Sequence, residues 1–364
     1  MRRIILLRTR IIDRMTGFAK ARWMKWVPLA VLPLLLLGCD ASPNQEQAAS
    51  SVANQEPPGS LAEQAMAELN TALAASPGDA DLLAQRGELF YENQIYDRAI
   101  ADLKASIQAD STHAAVWHLL ADAQLDGLRS RDALSTMIFA SSQFPERMGT
   151  LLKLAEYQYI LRKYEDALAT LDRAARLDQN EGEVYFMLGQ VFSEAGDTVR
   201  AINAYQRATE LKPDLLDSWL SLGALYEARG DAIAERYYNT ATAIDRTNAL
   251  PFRMRADYYT RQDRLEEAVA AYDEVIVLDP RMAEAFYNSG LVLMDMDSLD
   301  RAIGQLDRAI AIRPGYAEAH YFRGLASELQ GNLSDARRRY QQALNIQPGY
   351  ELAQQSLQAL EPAQ

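Results

Sequence analysis

The sequence predicts an all-α solenoid built from helix–turn–helix units of 34 residues. Three observations predict it. Proline recurs at Pro77, Pro145, Pro213, Pro280, Pro314 and Pro348, with gaps of 34 or 68 residues and a single gap of 67. A fixed period of this length marks stacked supersecondary units that bury a continuous core between neighbours. Starting each unit three residues after the proline position gives 80–113, 114–147, 148–181, 182–215, 216–248, 249–282, 283–316 and 317–350. The eighth residue of every unit is then small: Gly87, Ala121, Ala155, Gly189, Gly223, Ala256, Gly290 and Gly324. Finally, an alanine follows at a constant phase in every unit: Ala99, Ala133, Ala167, Ala201, Ala234, Ala268, Ala302 and Ala336.

The elements follow in chain order. Ala65, Leu69, Ala72 and Pro77 match a second helix alone, so residues 60–76 read as a half unit that caps the start. In each full unit the first helix carries a large residue at its fourth position: Leu83, Trp117, Leu151, Tyr185, Trp219, Phe252, Phe286 and His320. Four residues past the alanine, the second helix carries Leu103, Met137, Leu171, Tyr205, Tyr238, Tyr272, Leu306 and Tyr340. Spacings of three, four and seven fit a helix and no strand. Large residues set against small ones interdigitate as packed helices require. Proline stops each second helix and turns the chain into the next unit. Ser111, Gln179 and Arg246 take its place at three junctions. The fifth unit is one residue short in the turn between its helices, where a deletion leaves both packing phases intact. Residues 351–361, with Leu352, Leu357 and Leu360, read as a closing helix with a polar outer face.

This pattern closely resembles the tetratricopeptide repeat (TPR) over residues 59–361. Trp219, Leu222, Gly223, Tyr226, Ala234, Tyr238 and Ala241 follow the family motif in the fifth unit. The resemblance implies a right-handed superhelical solenoid of about eight full repeats, with the N-terminal half repeat and the C-terminal capping helix at its ends.

Ahead of the repeats, residues 27–37 form an apolar run preceded by basic residues. The run is too short to span a bilayer as a helix and has the form of a secretory signal core. It ends in Leu36-Leu37-Gly38-Cys39, which resembles the bacterial lipobox. The resemblance implies cleavage between Gly38 and Cys39 and a covalent lipid on Cys39, so that residues 1–38 are the signal peptide. Met24-Lys25-Trp26 offers an alternative start that would leave 1–23 out of the precursor. Residues 39–58 then comprise the lipidated cysteine and a tether without apolar periodicity, with a reach of about 25 Å for a flexible coil. Asp40 resembles an inner-membrane retention signal; the array is expected to face the periplasm from that membrane or from the outer one.

Loss of residues 1–38 leaves 29 basic and 49 acidic residues, a formal charge of −20. Such a body repels phosphate backbones, so nucleic acid is excluded as a partner class. Catalytic constellations are absent. His113, His118 and His320 are scattered without metal-ligand spacing, and His320 takes a core position. The glycines occupy packing sites and turns, with no phosphate-cradling loop. No enzyme activity, cofactor or metal is expected beyond the lipid. Arg337, Arg338 and Arg339 read as a solvated outer face.

Family geometry places the second, fifth, ninth, twelfth and thirteenth residues of each unit on a concave groove. This selects Asp81, Glu88, Glu92, Asp122, Asp126 and Glu156 in the first three units, with Tyr91, His118 and Tyr159 among them. Later units contribute Tyr287, Leu291, Met294, Tyr321 and Leu325, and Tyr287 and Tyr321 lie outside the packing positions. A partner segment with a basic part and an apolar part is expected. Glu88 and Asp122 stand where some family members clamp a terminal carboxylate, which disfavours that mode here. The expected function is a membrane-anchored protein-binding scaffold of the bacterial envelope. The alternatives are a pilotin-like assembly factor for a secretin or type IV pilus, and an adaptor of peptidoglycan hydrolases.

Overall fold

The computed structural model describes residues 61–360, which contain eighteen α-helices and no strand. Gly38, Cys39, the signal segment and the tether lie outside the described residues. Helix α1 (Leu61–Ala75) is the expected half unit. The first four pairs are α2 (Ala80–Glu92) with α3 (Tyr96–Ala109), α4 (Ala114–Asp126) with α5 (Ser130–Gln143), α6 (Met148–Ile160) with α7 (Tyr164–Leu177), and α8 (Gly182–Glu194) with α9 (Thr198–Leu211). The next four are α10 (Leu216–Ala228) with α11 (Ala234–Ile244), α12 (Ala249–Arg261) with α13 (Leu265–Leu278), α14 (Ala283–Asp295) with α15 (Leu299–Ile312), and α16 (Ala317–Leu329) with α17 (Leu333–Ile346). Helix α18 (Glu351–Ala359) closes the array.

Within a unit the helices meet where the small eighth residue faces the large residue of the second helix. A β-carbon on Gly87 would lie 2.8 Å from Leu103, and one on Gly290 would lie 2.8 Å from Leu306. The eight constant alanines are all fully buried. Each buried Leu or Tyr facing them removes enough apolar surface to contribute about 1.5–3 kcal/mol.

The turn between the helices has one recurring backbone state. The fifteenth residue of every unit has positive φ: Gln94, Leu128, Arg162, Gly196, Gly230, Asp263, Asp297 and Gly331. Only three of these eight are glycine, so five side chains sit in the left-handed region, at a cost of about 1 kcal/mol or more each.

Two devices build the joint between units. Where proline is missing, an aspartate forms a side-chain turn: Asp110 accepts from the Thr112 amide at 2.8 Å, Asp178 from the Asn180 amide at 2.8 Å and Asp245 from the Thr247 amide at 2.9 Å. Polar fourth-position side chains then reach back six residues to a junction carbonyl. Trp117 Nε1 donates to Ser111 O at 3.0 Å, Tyr185 Oη to Gln179 O at 3.1 Å, and Trp219 Nε1 to Pro213 O at 2.9 Å. His320 Nε2 makes the same contact with Pro314 O at 3.1 Å, which explains how an imidazole occupies a buried site otherwise filled by large rings.

The fifth unit absorbs its missing residue in an unexpected place. All first helices have 13 residues and the second helices 14, except α11, which has 11. Tight three-residue hydrogen bonds, Ala234 N to Asp231 O and Glu235 N to Ala232 O, replace the first turn of α11. Such turns rise about 2.0 Å per residue against 1.5 Å, so fewer residues cover the same distance. Ala234, Tyr238 and Ala241 remain buried, and the packing phase is kept as expected.

Candidate protein-binding groove

Several successive first helices touch one another (α2 with α4, α4 with α6, α6 with α8), whereas second helices pack chiefly against the first helices on either side. The inside of a curve is where neighbours come closest, so the first helices form the concave wall.

At the N-terminal end, Asp81, Glu88 and Glu92 are exposed and form no ion pair among the described residues. Asp122 differs: Lys153 Nζ lies 2.9 Å away and the Tyr157 hydroxyl donates to it at 2.6 Å. The Tyr91 hydroxyl donates to Asp126 at 2.7 Å. The acidic wall is therefore partly neutralised from within, and Asp122 and Asp126 are structural acceptors as well as groove residues. Glu156 is reached by solvent yet hemmed in by the wall, and this desolvation pushes its carboxyl up; Lys153 opposes the shift and Asp122 adds to it. His118 Nε2 lies 2.9 Å from Thr150 Oγ1, and burial, with Lys153 and Arg147, keeps its pKa below the ordinary value.

The middle of the wall holds a polar network that motif reading missed. Glu227 takes Arg261 as an ion-pair partner and accepts from the Tyr238 hydroxyl at 2.8 Å. Asp257 is buried and accepts from Tyr272 at 2.5 Å. Burial raises the Asp257 carboxyl. Tyr340 likewise donates to Glu328 at 2.6 Å. In these three units a core tyrosine of the second helix reaches through to a carboxylate at the ninth or twelfth position, so those carboxylates are already engaged. The signal was present: Tyr238, Tyr272 and Tyr340 each follow an acidic residue by 11, 15 or 12 positions.

At the C-terminal end Tyr287 is half-buried, with its ring 4.8 Å from Tyr316 and 5.9 Å from Phe322. Leu291 is half-buried, and Met294 fills space between two parts of the core. Tyr321 corrects the expectation. It is 6 % exposed, with Tyr350 at 5.3 Å and Tyr340 at 5.5 Å, and so belongs to the core of the last unit. Leu325 is buried with it. Arg339 also departs from a solvated face: it is largely covered and pairs with Asp307 at 3.2 Å, beside Arg323, which bridges Asp307 and Asp335. Among the described residues no group of three or more His, Cys, Asp or Glu side chains is arranged to hold a metal ion.

Comparison with known proteins agrees with this architecture. The family model described as tetratricopeptide repeat matches residues 118–181, 253–317 and 287–351, and one described as TPR repeat matches 189–230. Together they cover more than half of the chain. Superkiller complex protein 3 of Homo sapiens is 27% identical over 179 residues, 47% of this chain and 11% of that protein. Cellulose synthase operon protein C of Xanthomonas axonopodis pv. citri is 26% identical over 218 residues, 56% of this chain and 13% of that protein. The chain thus spans about a tenth of the length of these curated relatives. The crystal structure of the C-terminal part of a TPR repeat-containing protein from Cytophaga hutchinsonii shares the fold at 16% identity, with a TM-score of 0.56 over 65% of this chain and 98% of its own. The repeat phase, the paired helices and these matches lead to one conclusion: the chain belongs to the tetratricopeptide-repeat family, whose members mediate protein–protein interactions.

Proposed function

We propose that the protein is a non-catalytic adaptor of the bacterial cell envelope, anchored through a lipid on Cys39, that holds a segment of a protein partner along its concave wall. The observation that carries the reading is the uneven wall. Among the described residues Glu88, Glu92 and Glu156 have no ion-pair partner at one end, while Tyr287 and Leu291 offer half-buried apolar surface at the other. A segment with a basic stretch followed by an apolar stretch complements both ends.

Photo-crosslinkers at positions 88 and 287 in intact cells test it. Both should capture one partner, the basic stretch at 88 and the apolar stretch at 287, and the joint variant Glu88→Lys, Glu156→Lys should weaken capture at 88. Two unrelated partners, or capture indifferent to the reversal, would sink the proposal. Incorporation of labelled palmitate that persists in Cys39→Ser would remove the anchor. Capture of a secretin subunit or of a wall hydrolase decides between the two assemblies.

A further inference from the structure

Helix α1 is a second helix without a first. In the eight full units the three positions that a second helix turns toward its own first helix are fully or almost fully buried: Ala99, Leu103 and Ser106 in the first unit, Ala302, Leu306 and Ala309 in the seventh. The same positions of α1 are Ala65, Leu69 and Ala72, and all three are only half-buried. The far end of the array is finished differently. Helix α18 carries exposed Gln354 and Gln358 where first helices have their large fourth and small eighth residues. A glutamine at the eighth position obstructs a facing second helix, so that end is closed by polarity. The N-terminal end keeps the repeat's own apolar signature.

We infer that the open face of α1 is a docking site for a helix of another protein, which adds as the missing first helix. The molecule shows the chemistry of the occupant eight times. It is an amphipathic helix of about 13 residues with Gly or Ala opposite Leu69, as Gly290 stands opposite Leu306, and a large apolar residue four positions earlier. The preceding sequence is a poor source. In register, residues 46–58 put Ala49 at the fourth position and Pro57-Pro58 in the last turn, with Val52 as their largest apolar side chain. A second copy is no better, because α18 would bring Gln358 onto Leu69. The face is about one helix wide and its apolar contacts drive the addition.

The test uses the full-length chain and a peptide of residues 281–297, which contains the first helix of the seventh unit. The peptide should bind and slow amide hydrogen exchange in α1. A Gly290→Leu peptide should bind at least tenfold more weakly, and Leu69→Glu in the chain should abolish binding; Leu69→Gln serves if the charge frays α1. No binding to the full-length chain overturns the inference. So does binding that survives at Leu69→Glu and is lost in Glu88→Lys, which puts the peptide in the groove. A crosslink from position 69 to residues 46–58 in the free chain overturns it in favour of the chain's own segment. Concentration-dependent dimerisation abolished by Leu69→Glu without peptide overturns it in favour of a second copy.

Discussion

Gly189 and Tyr205 face each other so closely that a β-carbon on the glycine would stand 2.6 Å from the ring. The contact sets the distance between the two helices of the fourth unit, and the same relation joins Gly223 to Tyr238 and Gly324 to Tyr340. Gly189→Leu must therefore push Tyr205 or α9 aside, at a cost of about 1–3 kcal/mol. Gly304 lies in α15, and a β-carbon there would meet nothing within 4 Å. Gly304→Ala should raise stability by about 0.5–1 kcal/mol through helix propensity. Urea unfolding of the two variants measures both, and opposite signs are required.

Leu128 holds φ at +61° with its side chain 83 % exposed. The leucine carries the strain of a left-handed residue and gains almost no burial in return. Leu128→Gly should therefore be neutral or stabilising by up to about 1 kcal/mol, whereas Gly230→Leu should destabilise by about 1–2 kcal/mol. Equal losses in the two variants would mean that turn strain does not control this position.

Tyr287 and Tyr321 separate recognition from packing. Tyr321→Ala removes a buried ring and should cost about 3–5 kcal/mol. Tyr287→Ala should cost less stability and weaken partner capture. A thermal midpoint beside a binding assay distinguishes them, because Tyr321→Ala should lower the midpoint at any partner concentration.

Asp335 gives the acid response a sign. Burial pushes its carboxyl up, but hydrogen bonds from Ser327 and Arg338, with Arg323 alongside, hold it at about 2. The folded value lies below the unfolded one, so the stabilisation is complete above about pH 4 and is lost as pH falls toward 2. The effect is on the order of 2 kcal/mol. Unfolding midpoints between pH 5 and 2 should fall more steeply for the native chain than for Asp335→Asn.

Glu156 has the opposite sign. Desolvation raises its folded pKa, so ionisation costs stability at neutral pH and protonation relieves that cost as pH falls. Glu156→Gln should gain under about 1 kcal/mol at pH 7, a gain that shrinks in acid, and should weaken a basic partner. Loss of stability at pH 7 would contradict the assignment.

The packing frame was legible because each unit repeats the same small-against-large constraint, and eight registers agree on it. Surface roles were harder to read, because position within a unit does not say what a neighbouring unit places above it. Tyr321 lies at a groove position, yet Tyr350, 29 residues later, folds back onto it; Tyr316 stands over Tyr287 at the same spacing. Asp122 and Asp126 looked like open charge until tyrosines 35 residues away, Tyr157 and Tyr91, claimed them across a unit boundary. Arg339 followed two exposed arginines in sequence and turned inward toward Asp307. Contacts one period apart are visible in a sequence only after the unit boundaries are known.

The shortened α11 has a consequence for how a long partner is read. A ladder of equal units would let a bound segment slip by one rung and find nearly the same contacts. The tight turn at Asp231–Glu235 makes the fifth rung unlike the others, as a missing tooth does on a gear. A segment that crosses it has one position of best fit, and the scaffold acquires a zero mark from which both of its ends are measured.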